Sequence, residues 1–299
     1  MSGDFWGEIF NFANYGELVA LLQNSIIAGA VLGVVGGLIG VFVMSRDMAF
    51  AVHGISELSF AGAAAGLLFG VGVVEGSIFG SLVAALLIGL LGTRARDRNS
   101  IIAVLMPFGL GLGILCLSLY PGRSANKFGL LTGQIVAVDD PRLNSLIAIS
   151  IVVVVGLLLV WRPLTFASVD ADVASARGVP VRWLSIFFML LLGLAVAVSV
   201  QIVGSLLVLS ILVTPAAAAL RLSSSPVLVP VLSTVFAVTS LVGGIMLALG
   251  ASVPISPYVT TVSFLIYVVS RVISWRRGAG TGRIQDAGLP LPVRKVEQS

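Results

Sequence analysis

Long apolar runs, interrupted by short clusters of Arg, Gly, Pro and acidic residues, dominate the pattern of this chain. A helix that crosses a bilayer needs about 20 consecutive, mostly apolar residues. Runs of that kind fall at roughly 18–44, 49–73, 77–93, 101–120, 143–161, 183–200, 203–219, 227–249 and 257–274, which predicts nine spans. The runs are continuous rather than alternating, so a membrane β-barrel is not expected. The sixth and seventh runs are nearly one, because across 183–219 only Gln201 and Gly204 mark a break. Ahead of the first run, residues 1–17 contain Asp4 to Phe12 (DFWGEIFNF), acids mixed with aromatics, and read as an interfacial segment. Residues 18–274 form one transmembrane domain, and the polar, Gly/Pro-bearing stretch 275–299 reads as a disordered inner tail.

Composition sharpens this picture. Of 299 residues, 58% are hydrophobic and only 10% charged, against about 25% charged in a soluble domain. The sequence is that of an all-α, polytopic membrane protein, and soluble enzymes, secreted disulfide scaffolds and disordered chains are excluded. The single Cys116 lies in an apolar run, so neither an intrachain disulfide nor a thiolate cluster is available. The first 45 residues hold no Lys or Arg, so the basic start of a secretory signal is not expected.

The net charge of +4 encodes orientation rather than nucleic-acid binding. With nine spans and the N-terminus outside, 14 of the 17 Lys and Arg fall on the inner side, and only Arg123, Lys127 and Arg142 on the outer. The expected arrangement is N-terminus out and C-terminus in. Small residues four apart, Gly29/Gly33/Gly37 and Gly62/Gly66/Gly70, predict close helix packing in the first two spans.

Only two ionisable groups sit well inside an apolar span, His53 and Glu57, and His53 is the only histidine in the chain. Four residues apart, they share one helix face about a turn apart. A carboxylate at the bilayer centre costs roughly 2.5–3.5 kcal/mol on insertion scales, so it needs a partner, a watery cavity or an ion. Three readings fit the pair: a hydrogen bond that holds helices together, a proton relay, or coordination of a divalent metal by imidazole nitrogen and carboxylate oxygen. Glu75, in the turn VGVVEGS, reads as a solvated loop acid.

Two inner segments stand out. Thr165 to Val181 (TFASVDADVASARGVPV) reads as a short helix with Asp170 and Asp172 at its start, and Val213 to Pro226 (VTPAAAALRLSSSP) as a loop with a turn of helix that could dock another protein, although either segment alone also reads as a plain connection. No GxxxxGK[ST] loop exists and the only lysines are Lys127 and Lys295, so the chain has no P-loop. HxxxE lacks the second His of an HExxH metalloprotease helix, which leaves no catalytic constellation.

Arg46 to Gly62 (RDMAFAVHGISELSFAG) resembles the second-span motif of the zinc/manganese ABC-transporter permeases, R-R-M-S/A-x-x-G-D-A-x-S/A-H-A-x-L-x-G. Val203 to Leu220 (VGSLLVLSILVTPAAAAL) is similar to that family's V-G-x-L-L-V-x-x-L-L-x-x-P-A-A-x-A, and Val169 to Val179 (VDADVASARGV) to its D-x-x-x-A-x-x-x-G segment. The three occur in the right order, and the resemblance covers residues 18–274. His53 stands where the family has its metal-path Asp, and Glu57 where it has its His. One imidazole and one carboxylate are kept with their positions exchanged.

The resemblance implies a type II ABC-importer-like permease of the cell membrane. It would be a non-catalytic subunit that binds no cofactor of its own and carries Mn2+ or Zn2+ past His53 and Glu57. The implied partners are an ATP-hydrolysing chain on the cytoplasmic side, an extracytoplasmic metal-binding protein, a second permease copy and the lipid bilayer; nucleic acid is not among them. The contact with the ATPase is expected to include Ala219, Leu220 and Arg221. The competing reading is a proton-coupled secondary carrier with His53 and Glu57 as its relay.

Overall fold

The computed structural model describes residues 16, 19, 21–92, 95–122, 138–249 and 255–285, and the regular structure among them is entirely helical. In chain order the helices are α1 (Gln23–Ser45), α2 (Ala49–Phe69), α3 (Val73–Leu91), α4 (Ala95–Leu119), α5 (Asp140–Leu159), α6 (Trp161–Val169), α7 (Ala171–Ala176), α8 (Val181–Val203), α9 (Ser205–Leu222), α10 (Leu228–Ala248) and α11 (Ile255–Gln285). Among the described residues, eight stretches are long and apolar enough to span a membrane, and Leu207–Leu222 is a shorter apolar helix. The expected interfacial segment 1–17 lies almost wholly outside the described residues, as do 286–299 of the expected tail.

Residue contacts set the direction of each helix. On α1, Gly29, Gly33 and Gly37 face Ile245, Val238 and Thr234 of α10, so these two run antiparallel. Gly36 faces Ile211, and Gly40 faces Leu212 and Ala216, so α9 runs parallel to α1. Asn24 Nδ2 donates to the Val138 carbonyl at 3.2 Å and the Asp140 carboxylate at 2.8 Å, while Phe42 packs edge-on against Trp161 with ring centroids 4.8 Å apart. The α5–α6 segment is therefore parallel to α1 as well. Gly89 meets Ile186 and Met189 while Gly193 meets Ser81 and Ala85, which makes α3 and α8 antiparallel. Gly54 meets Ile102 while Gly113 meets Phe60 and Ala61, which makes α2 and α4 parallel. The long helices thus alternate in direction along the chain.

The closest approach joins α2 to α3. A side chain at Gly62 would strike the Gly76 carbonyl, and one at Gly66 the Gly72 carbonyl. Small residues on both faces let the backbones touch, the packing mode that works where lipid is as apolar as leucine. Gly70, third in the sequence stripe, faces no neighbour. At φ 72° it is the left-handed cap that ends α2. Between this contact and Glu57 a buried polar stitch crosses three helices: the Ser59 and Ser77 hydroxyls are 2.8 Å apart, and Ser77 Oγ donates to the Ala197 carbonyl at 3.2 Å.

At the opposite end of α2 two arginines hold the α1–α2 turn, where Asp47 adopts φ 53°. Arg98 Nη2 donates to the carbonyls of Arg46 and Asp47, at 3.4 and 3.2 Å. Arg46 Nη2 donates to Ser185 Oγ at 3.1 Å, and its guanidinium lies 5.6 Å from the Phe188 ring centroid. Burial, with Arg98 beside it, pulls the Arg46 guanidinium below its ordinary pKa.

Three boundaries differ from the apolar runs. The near-continuous stretch 183–219 breaks at Gly204, whose φ of 82° only glycine adopts without strain; α8 ends and α9 begins there with no loop between. The fifth span continues past Trp161 to Val169, because Val160 at φ −100° and ψ 8° bends the helix without stopping it. The last helix runs through the Arg-bearing stretch to Gln285, although its membrane-spanning part is Ile255–Arg276. Hydropathy ends at 274, and the next helix-stopping Pro is Pro290.

The α2–α3 contact makes a direct test. Gly62→Leu is expected to destabilise the permease by about 3 kcal/mol or more through overpacking, read as loss of the monodisperse peak in detergent. Gly111→Leu on α4, where nothing lies within 4 Å, is expected to leave the peak unchanged.

Candidate functional site

The candidate site grows out of α2. Met48 seats the first turn against the core and Gly70 closes the last, so the helix carries His53 and Glu57 inward on one side. α2 packs against α3, α4, α8 and α9. At Glu57 the approach of α4 depends on Gly109, where a side chain would meet the Glu57 carbonyl carbon and the Leu58 nitrogen at 3.0 Å. Glu57 is thereby shut in, its side chain 5% exposed, whereas His53 keeps 28% and opens to the surroundings.

The pair does not satisfy itself. His53 Nε2 lies 3.9 Å from Glu57 Oε1, beyond hydrogen-bond length. His53 Nδ1 and Glu57 Oε2 are both buried without any hydrogen-bond partner among the described residues. Buried polar atoms normally find partners, so two orphans one helical turn apart point to a group from outside the chain. No cluster of three or more His, Cys, Asp or Glu occurs among the described residues. One chain therefore offers an imidazole nitrogen and a carboxylate, half of a tetrahedral set.

The remaining sequence-predicted residues lie elsewhere. Glu75 is exposed in the first turn of α3, as a solvated acid should be. Asp170 caps α7, its Oδ1 accepting from the Asp172 and Val173 amides at 3.0 and 2.9 Å, as the acid-led short helix predicts. Ala219, Leu220 and Arg221 end α9. Ala219 is fully buried in a cluster with Val41, Ala216 and Val229, while Leu220 is 39% exposed and Arg221 is exposed, close to the Tyr267 hydroxyl. Only the latter two reach a surface another chain could touch. The structure also unites the two segments 165–181 and 213–226, which the sequence presents separately: Trp161, Thr165 and Ser168 of α6 and Leu220, Ser224 and Ser225 border one cleft of about 170 Å³.

A bundle of alternating apolar helices with an unsatisfied acid and imidazole at membrane depth defines a multi-pass membrane transport subunit. The chain belongs to the ABC 3 transport family, whose model matches residues 19–274. It is 28% identical over 261 residues to the manganese transport system membrane protein MntC of Halalkalibacterium halodurans, covering 87% of this chain and 89% of that protein. It is 29% identical over 254 residues to the manganese import system permease protein ScaB of Streptococcus gordonii, covering 85% and 91%. Among solved structures, PsaBC from Streptococcus pneumoniae in complex with Fab aligns with a TM-score of 0.78 at 26% identity, over 87% of this chain and 95% of that one. The protein is an ABC-transporter permease of the cell membrane, and in such transporters ATP is hydrolysed by a separate subunit.

The orphaned carboxylate has a measurable consequence. Glu57→Leu removes a buried acceptor, Oε2, that no described residue satisfies, and is expected to stabilise the metal-free permease by about 1–3 kcal/mol, read as a raised Tm in chelator. A lowered Tm would show that Glu57 serves helix packing instead.

Proposed function

We propose that this chain is the ion-conducting subunit of an ATP-driven importer of Mn2+, with Zn2+ as the competing substrate. The observation that carries the reading is the side-by-side pair of unsatisfied groups, His53 Nδ1 and Glu57 Oε2, on a helix facing the membrane interior. The names of the manganese relatives MntC and ScaB support the choice of ion. The donor chemistry agrees, since imidazole and carboxylate suit both metals, and oxygen-rich sites completed by water suit Mn2+.

Two copies related by an axis along the membrane normal would supply two imidazoles and two carboxylates to a shared path. The carboxylates offset the charge of the ion at membrane depth, and binding stays weak enough for release. In this reading the N-terminus lies outside and the C-terminus inside, so that the ion comes from an extracytoplasmic binding protein and the ATPase docks at the α6–α9 cleft. Leu220 and Arg221 would touch the ATPase, with Ala219 holding the end of α9 in place.

The test is Mn2+ uptake into liposomes holding the permease, its ATPase and the binding protein. Glu57→Gln is expected to cut ATP-dependent uptake about tenfold or more with the complex still assembled. Wild-type uptake by this variant would overturn the metal path, and uptake that follows a proton gradient without ATP would replace the reading with a secondary carrier. Leu220→Asp is expected to weaken ATPase binding about tenfold, equivalent to about 1.4 kcal/mol, while Mn2+ binding to the permease is retained. Unchanged ATPase affinity would move the docking surface away from α9.

A further inference from the structure

The half-exposed face of α9 carries chemistry that the His53/Glu57 reading leaves unused. α9 packs against α1, α2, α10 and α11, which cover most of its circumference. The side left uncovered carries Ser210, Val213, Thr214 and Ala217, leading to Arg221 at the inner end. Elsewhere at membrane depth, exposed positions are bulky and apolar: Phe108 and Leu115 on α4, Ile151 and Val155 on α5, Leu265 and Val269 on α11. Those faces suit lipid. A face with two hydroxyls four residues apart suits water.

A Ser or Thr within an apolar helix usually bonds back to the carbonyl four residues earlier, as Thr165, Ser199 and Ser240 do at 2.7–2.8 Å. Ser210 and Thr214 show no such bond among the described residues; the Ser150, Ser205, Thr234 and Ser263 hydroxyls also lack a partner, but those oxygens are buried, whereas Ser210 and Thr214 are half-exposed.

Two independent rulers place them level with the metal pair. Along α1, Gly36 faces Ile211, and Gly40 faces Leu212 and Ala216. Along α8, Ser77 links Ser59 to Ala197, and the Phe42 and Phe188 rings meet with centroids 6.1 Å apart. Counting along α2 and α8, which run the same way, puts Glu57 level with Val35 of α1 and His53 level with Ile39. The first ruler then puts Ser210 at the height of Glu57 and Thr214 at the height of His53, to within about a helical turn. α2 and α9 are antiparallel and in contact, so the two pairs, each four residues apart, lie at the same height on neighbouring helices.

We propose that Ser210 and Thr214 line the ion path opposite His53 and Glu57 and supply neutral oxygen donors to the cation. The proposal rests on the metal-path reading of His53 and Glu57. The hydroxyls replace water in the ion's shell without adding charge, and give each chain three oxygens and one nitrogen, a balance that favours Mn2+ over softer ions.

Thr214→Val keeps shape and removes the hydroxyl. In the reconstituted complex it is expected to raise the Mn2+ concentration for half-maximal uptake about tenfold with little change in the maximal rate, and Thr214→Ser is expected to restore it. In a Cys116→Ser background, Thr214→Cys is expected to react with a charged, water-soluble thiol reagent and to be protected by Mn2+, whereas Leu265→Cys on the lipid face stays unreactive. Wild-type uptake by both Thr214→Val and Ser210→Ala, with Thr214→Cys no more reactive than Leu265→Cys and Glu57→Gln inactive, overturns this proposal and leaves the metal path standing. Wild-type uptake by Glu57→Gln and Thr214→Val alike overturns both.

Discussion

Holding a carboxylate at membrane depth is the constraint on which the surrounding packing turns. Glu57 is 5% exposed and lacks a partner for Oε2, so the helix that carries it must be fixed from all sides by contacts that do not involve the acid. Glycines provide them. Gly62 and Gly66 bring α3 into backbone contact with α2, and Gly109 brings α4 against the peptide of Glu57 itself. The Ser59–Ser77–Ala197 stitch then ties α2 and α3 to α8 two residues above the acid. These contacts come mostly from backbone and small side chains, whose conformational entropy cost is low. They therefore hold Glu57 in place without relying on a favourable interaction of the carboxylate.

The N-terminal end of the same helix is fixed by a different chemistry. Arg98 closes the α1–α2 turn through carbonyls, and Arg46 reaches across to α8. Both guanidinium groups sit where the apolar runs stop, where long basic side chains can serve interfacial carbonyls and hydroxyls. His53 lies one turn beyond this anchor, at the border between the rigid turn and the open side of α2. Its 28% exposure follows from that position.

Much of this was legible in the sequence because the membrane restricts what a polar residue can do. Apolar runs located the spans, and the weak break at Gln201 and Gly204 proved to be the junction of two helices, since a positive φ in a continuous apolar stretch needs glycine. His53 and Glu57 stood out as the ionisable residues inside a run. What the sequence could not show is relative height. Ser210 and Thr214 look like unremarkable helical hydroxyls until contacts along α1 and α8 set them level with the pair. The cleft between α6 and the α9–α10 connection is likewise invisible, because its walls lie about fifty residues apart in the chain. The burial of Ala219 is equally hidden, because an Ala-rich turn reads the same whether it faces solvent or, as here, a neighbouring helix.

On the proposed reading, α9 joins the two ends of the transport cycle. Leu220 and Arg221 sit at the inner cleft, and Thr214 lies seven residues from Arg221 on the same uncovered face, about 10 Å along the axis. Pro215 stands between them and leaves the Ile211 carbonyl without its helical donor, on the side packed against Gly36. A helix with one missing hydrogen bond bends more easily there than elsewhere. A push at Leu220 would then be taken up as a change of angle near Ile211, at the height of Ser210 and Glu57. The opposing α2, held by Gly109 and the serine stitch, would stay fixed. Moving one wall of a two-walled site is enough to change its coordination, and the two walls differ in rigidity in the way that motion requires.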